Sequence, residues 1–93
     1  MRIALAADEE TYSVIFSSLK HPLRRKILRV LAAGPKTFTE VLQQLGVDSA
    51  HFSYHLESLG DLIRKDEEGK YRLSNLGRAA SSLMARVEEP LSW

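Results

Sequence analysis

Apolar residues recur along this chain at helical spacing, in stretches broken by Pro, Gly and short polar runs. Tyr12, Ile15, Phe16 and Leu19 fall at i, i+3, i+4 and i+7, one face of a first amphipathic helix, and Asp8, Glu9 and Glu10 suit its positive start. His21-Pro22 interrupts that face. Pro22 fits the first position of a second helix, which carries Leu23, Ile27, Val30 and Leu31 inward and ends near Ala33, before Gly34-Pro35. Thr37-Phe38-Thr39-Glu40 has the capping-box form, a hydroxyl accepting from the helix start while a Glu reaches back to it. The helix it opens has Phe38, Val41, Leu42 and Leu45 on one face and Gly46 as its left-handed end. Asp48 is a good N-cap for a fourth helix, with Phe52, Leu56 and Leu59 turned inward.

After Leu59 the period changes. Leu62-Ile63-Arg64-Lys65 and Tyr71-Arg72-Leu73 flank the polar run Asp66-Glu67-Glu68-Gly69-Lys70, the pattern of a hairpin. Ser74 or Asn75 then caps a last helix with Leu76, Ala79, Ala80, Leu83, Met84 and Val87 as a continuous apolar stripe. Two short helices held apart by Gly46-Val47-Asp48, each with its own start signal, are the sequence form of a helix-turn-helix, and the hairpin that follows reads as a wing. Nucleic acid is therefore the first partner to consider.

Charge placement sharpens that reading. The formal net charge is only +1, but five of the twelve acids lie in Asp8-Glu9-Glu10 and Glu88-Glu89, so the stretch from Thr11 to Val87 holds twelve Lys or Arg against seven Asp or Glu. With 93 residues there is room for one domain and for no large enclosed pocket. The absence of cysteine excludes disulfides, thiolate metal sites and cysteine nucleophiles. The opening Met1 to Ala7 is too brief for a secretory core, and no apolar run is long enough to span a bilayer, so a soluble, cytoplasmic protein is expected. No nucleophile turn, phosphate-cradling Gly loop or dense acid cluster supports an enzyme. No cofactor or small-molecule ligand is evident.

The candidate contact residues follow from helical phase. On the fourth helix Ser49, Ala50, His51, Ser53 and Tyr54 turn outward and can enter a major groove. On the second, Arg24, Arg25, Lys26 and Arg29, with Lys20 just before it, are either a solvated face or phosphate contacts; Lys36 is equally open. Lys65, Lys70 and Arg72 would bring the wing to phosphate, with the acidic tip Asp66-Glu67-Glu68 pointing away. The apolar stripe of the last helix needs a cover. It either packs on the first helix of its own chain or, as expected here, the two helices meet their counterparts in a symmetric homodimer through Tyr12, Ile15, Phe16, Leu76, Ala80, Leu83, Met84 and Val87.

Together the runs His21-Pro22-Leu23-Arg24-Arg25-Lys26-Ile27-Leu28, Thr37-Phe38-Thr39-Glu40-Val41-Leu42, Asp48 through Leu59, and Tyr71-Arg72-Leu73 closely resemble the ArsR-like winged helix-turn-helix transcription factors. The continuation Ser74-Asn75-Leu76-Gly77 looks most like archaeal members. The resemblance spans about Tyr12 to Val87. It implies a mainly α fold with a small β wing, four helices, a hairpin and a fifth helix, acting as a DNA-binding regulator and usually dimeric. The domain reading is then one winged helix-turn-helix over residues 1–93, with 1–10 a flexible acidic N-terminus and 76–88 a C-terminal dimerisation helix. The ending Pro90-Leu91-Ser92-Trp93 has no closing element and is compatible with a domain of a longer chain.

Two departures limit the carry-over. Metal-sensing members of the family carry a cysteine-rich motif where this chain has Val41-Leu42-Gln43-Gln44-Leu45, and the fourth helix lacks Arg and Lys, so bidentate recognition of guanine is not available from it. Sequence reading would rest on Ser49, His51, Ser53 and Tyr54 or on DNA shape. His51 and His55 are four apart, but a zinc site needs further ligands, and only distant His21 or Glu57 could supply one; no metal is expected. His55 is read as a boundary residue of the buried face and His21 as a helix-boundary residue. The competing reading is a winged helix that docks proteins, favoured by Glu57 and Asp61, which would oppose a phosphate surface.

Overall fold

From the second helix onward, a local device marks each helix start. Pro22 sits at the start of the second helix, behind an extended His21. At the third, the Thr37 hydroxyl accepts from the Glu40 amide at 3.1 Å while the Glu40 carboxylate accepts from the Thr37 amide at 2.8 Å, closing the expected capping box. At the fourth, the Asp48 carboxylate accepts from the His51 amide at 3.0 Å. The computed structural model describes residues 2–88, with side chains from Glu9 onward. Within it, α1 is Arg2–Leu19, α2 Pro22–Ala32, α3 Phe38–Leu45 and α4 Ser49–Ser58; a 3₁₀ turn Gly60–Leu62 leads to β1 Ile63–Lys65 and β2 Tyr71–Leu73, and α5 is Asn75–Glu88. This is a mainly α winged helix-turn-helix.

Residues 2–10 of the segment expected as a flexible acidic N-terminus fall within the span of α1. Nothing before Pro22 interrupts a helix, and the Ala4 to Ala7 run is rich in strong helix formers, so propensity extends α1 well past its apolar face. Met1 and the closing residues 89–93, including the Pro90 to Trp93 ending, lie outside the described residues.

Helix α2 lies at the centre, packed against α1, α3, α4, α5 and β2. Its Ile27 and Leu28 are fully buried with Val41 of α3, Phe52 of α4, Leu59 and Leu62, and Ile15, Leu31, Leu56, Leu73, Ala80 and Met84 complete the core. Phe38 and Phe52 meet at 4.7 Å between ring centroids, tying the two helices of the helix-turn-helix together. Each of these large apolar side chains contributes about 1.5–3 kcal/mol by leaving water, which fixes α4 on a rigid base. Gly46, at φ 68°, makes the left-handed corner between α3 and α4, its amide donating to the Leu42 carbonyl.

Strands β1 and β2 are antiparallel, pairing Ile63 with Leu73, Arg64 with Arg72 and Lys65 with Tyr71. Lys36 adds a single bridge to the outer edge of β2 through two backbone bonds to Tyr71, of 3.0 and 2.7 Å. The loop before α3 is thus anchored to the wing. Ser74 starts α5: its hydroxyl accepts from the Gly77 amide at 3.1 Å and donates to the Asp61 carbonyl. Gly77 is buried against the 3₁₀ turn so closely that a Cβ there would lie 2.0 Å from the Leu62 carbonyl oxygen.

Candidate nucleic-acid interface

The inner face of α4, Phe52 and Leu56, is buried, and the 100° step between helical residues turns Ser49, Ala50, His51, Ser53 and Tyr54 outward, all of them exposed. Tyr54, at 61 % exposure, is the largest group on this front. Its backbone carbonyl accepts from the Ser58 hydroxyl at 2.8 Å. Glu57 and, just beyond, Asp61 are exposed as well.

Two histidines on α4 are held in opposite tautomers. A carboxylate can only accept, so at the 2.8 Å contact with Asp48 the His51 Nδ1 is the donor, leaving Nε2 for an outside partner. Hydrogen bonds from the His51 side chain and then its backbone hold the Asp48 carboxyl below the usual carboxylate range. At His55 the logic is reversed. The Arg24 Nε–H donates to His55 Nδ1 at 3.1 Å, so the ring is neutral there and carries its proton on Nε2. Burial first, and then the positive charge of Arg24, pushes the His55 pKa down. The rings of His21, His51 and Tyr54 surround it at centroid distances of 5.3, 6.5 and 5.0 Å. Ala50 joins these four side chains in a shallow hollow on the surface. Among the described residues no group of three or more His, Asp or Glu is arranged to hold a metal ion.

Arg24 and Arg25, both expected at phosphate, are tied to neighbouring helices. Arg24 is only 8 % exposed, under α4, where it braces His55 instead of facing solvent. The helical phase that set it on a polar face ignored α4 packing across that face, which covers the aliphatic stem and leaves the charge to be satisfied by a hydrogen bond. Arg25 is half-buried, donates to the Leu19 carbonyl at the end of α1 and lines the groove between α1 and α5. A cation beside the final carbonyls of a helix is favourably placed. Arg29 likewise pairs with Glu88 of α5.

On the wing, Lys65 is exposed and stands over the Tyr71 ring at 5.3 Å, Lys70 and Arg72 are half-buried, and Lys36 is half-buried beside them. Arg64, not singled out in the sequence, faces Arg72 across the hairpin and adds a further cation to the same cleft. The alternation of the strand already carries that signal once the register is known. The acidic tip stays close to the basic flanks of the wing. Asp66 folds back to accept from the amides of Glu68 and Lys70 at 2.9 and 3.0 Å, and Glu67 and Glu68 line the same cleft as Arg64, Lys65, Lys70 and Arg72. A five-residue loop that must close tightly on an Asx-type turn keeps its acids next to its bases.

The residues expected at a dimer contact divide in two. Ile15, Ala80 and Met84 belong to the core of the chain itself, because α1 and α5 already pack on α2 and on each other. Leu76 and Leu83 are half-buried, whereas Tyr12, Phe16 and Val87 remain 56, 57 and 62 % exposed. Phe16, Leu19, Leu83, Met84 and Val87 form one nearly apolar groove, with Arg25 and Glu88 at its edge. Among the described residues no helix is long and apolar enough to cross a membrane.

Known proteins share this fold. The chain is similar to the homodimeric winged helix-turn-helix DNA-binding domain of Mb0332 from Mycobacterium bovis, a possible ArsR-family transcriptional regulator, with a TM-score of 0.77 and 24 % identity over 92 % of this chain and 86 % of that one. It is also similar to the transcriptional repressor BigR from Xylella fastidiosa, with a TM-score of 0.72 and 21 % identity over 96 % and 94 % of the two chains. A further solved ArsR-family transcriptional regulator matches with a TM-score of 0.64 and 25 % identity, over 89 % of this chain and 98 % of its own. No curated protein sequence matches. A family model described as a domain of unknown function, DUF7347, matches residues 12–84. The ArsR-like resemblance read from the sequence thus holds at the level of structure, and the chain belongs to the DUF7347 family, built on the winged helix-turn-helix of the ArsR-like regulators.

Proposed function

We propose that this protein is a sequence-specific DNA-binding transcriptional regulator that acts as a homodimer, with α4 in the major groove and the wing on the backbone. The observation that carries this reading is the solvent-facing front of α4, Ser49, Ala50, His51, Ser53 and Tyr54, set on a rigid apolar base, with side chains that make no hydrogen bond among the described residues beyond the Asp48–His51 contact. Its width and its short polar groups suit base edges. The two rings add direction: His51, with Nδ1 on Asp48, presents Nε2 outward, and His55, with Nδ1 accepting from Arg24, keeps its proton on Nε2. Lys36, Arg64, Lys65, Lys70 and Arg72 supply phosphate contacts in this reading, in place of Arg24 and Arg25. DNA binding by Mb0332 and the repressor role of BigR support it. The exposed Tyr12, Phe16 and Val87 supply the dimer surface, as a two-fold pair of subunits would suit paired half-sites.

The test is a binding titration against salt with genomic fragments selected by the protein itself. With about six phosphate contacts in the dimer, log K falls with log salt at a slope of about −5. Tyr54→Ala then changes which sequences are selected, while Lys65→Ala weakens all of them alike and makes the slope shallower by about 1 for each phosphate left unneutralised. A flat salt response would overturn the reading. The exposed Glu57 on α4, and Asp61 after it, favour a second reading, a winged helix that docks a basic protein surface; a salt-independent partner that is not DNA would be its signature.

A further inference from the structure

On the side of α5 away from Leu83 and Val87, a cleft of about 340 Å³ opens where the end of α2, strand β2 and α5 meet. Its apolar part comes from residues including Leu31 and Leu73, and its polar groups are Arg72 of the wing, Arg78 of α5 and the hydroxyls of Ser81 and Ser82. Arg78, Ser81 and Ser82 stand at i, i+3 and i+4, so all three project from one face of the helix. Among the described residues no acid lines the cleft.

The charges here are left unbalanced. Among the described residues neither Arg72 nor Arg78 enters an ion pair. Arg72 faces a second arginine, Arg64, across the hairpin, and like charges directly opposite on a ladder repel. Its Nε is buried and, among the described residues, has no hydrogen-bond partner. A buried donor without an acceptor is destabilising, so such a group calls for a partner. Asp66 is near enough to feel the charge of Arg72, but its carboxylate is taken up by the amides of Glu68 and Lys70 and lines the neighbouring cleft, not this one.

We infer that this cleft binds a small organic anion, a carboxylate or phosphate monoester on a compact apolar body, with Arg72 and Arg78 on the anionic group, Ser81 and Ser82 beside it, and Leu31 and Leu73 against the apolar part. The volume lies at the small end of the range of ligand pockets, which suits a compact ligand. Charge-assisted bonds from two arginines on different elements select for an anion, and the apolar wall selects against inorganic ions. A ligand held this way joins the wing to α5, the helix that carries part of the proposed dimer surface. The site itself does not depend on the DNA-binding reading.

Isothermal titration of the full chain with phenyl phosphate and with benzoate, at constant ionic strength, tests the assignment, with phenol as the uncharged control. Saturable binding of at least one of the two anions and none of phenol is expected. Arg78→Gln, at an exposed position where the fold is retained by circular dichroism, weakens that binding about tenfold, the equivalent of one charge-assisted hydrogen bond. Ser81→Ala weakens it less. Binding of phenol as strong as that of the anions, or unchanged affinity in Arg78→Gln, would overturn the inference. So would the failure of both anions to bind at about 10 mM, a concentration that still detects a ligand weaker than most natural ones. If in that case Arg78→Gln also weakens duplex DNA, the arginines belong to a nucleic-acid contact and not to a small-molecule site.

Discussion

Gly77 is the residue at which this fold has least room. A helix interior normally gains about 1 kcal/mol when Gly is replaced by Ala, but here the added Cβ would meet a backbone oxygen of the 3₁₀ turn, which has no rotamer to change. Displacing Leu62 also disturbs the Ser74 amide bond to the same carbonyl and the cap of α5. Gly77→Ala is therefore expected to destabilise the chain by about 2 kcal/mol net, read as a lower urea midpoint at unchanged slope. An unchanged or higher midpoint would show that the turn yields. Nothing in the local pattern marks this glycine, because Leu76-Gly77-Arg78 reads as ordinary helix; only a contact between segments fifteen positions apart in the chain makes it obligatory. Asp48, by contrast, is legible from its neighbours alone, since a cap acts within one turn.

Among the elements, the clasp between α2 and α4 sets a pH dependence. His55 is neutral in the fold, accepting from Arg24, with His21, His51 and Tyr54 around it. Its pKa in the native state lies below the ordinary value of 6.5, so the unfolded chain takes up this proton first as the pH falls. The clasp's stability is thus present above about pH 6.5 and is lost as the pH falls through the folded value. Unfolding by urea at about pH 7.5 and 5.5 should show the loss, and His55→Asn, which keeps an acceptor for Arg24 without a titrating group, should reduce it. An equal loss in both proteins would place the proton elsewhere. Asp48, Asp66 and Glu40, whose pKa values are also lowered, lose their contributions only in more acidic solution, below the ordinary carboxylate range.

For the whole molecule, the exposed apolar residues of α1 and α5 carry the remaining prediction. Tyr12 and Phe16 stack at 6.2 Å on the outside of α1, and Val87 lies across the groove from Phe16. Exposed apolar side chains gathered along one groove are candidates for an interaction surface. Phe16→Glu, at a position that the core does not use, is expected to leave the helical content intact and to shift the protein from dimer to monomer in sedimentation equilibrium. It should also lower DNA affinity by about tenfold or more, because each half-site then binds alone. A monomeric parent protein would remove the basis for the homodimer.

Sequence alone determined the order of the elements, the caps of α3 and α4 and the inward faces of α2, α3 and α4, because periodicity, capping and turn chemistry act over a few residues and need no distant partner. The outward front of α4 was legible for the same reason. Which cations are free was not. Arg24 and Arg25 share the polar phase of α2 with Lys26, yet one is drawn under α4 and the other against the end of α1, and Arg64 and Arg72 become neighbours only through the register of the hairpin. The division of Ile15, Ala80 and Met84 from Tyr12, Phe16 and Val87 was equally out of reach, since a helical stripe records that a face is apolar but not how much of it its own chain covers. Those distinctions rest on packing between segments far apart in the chain, and the tertiary structure decided them.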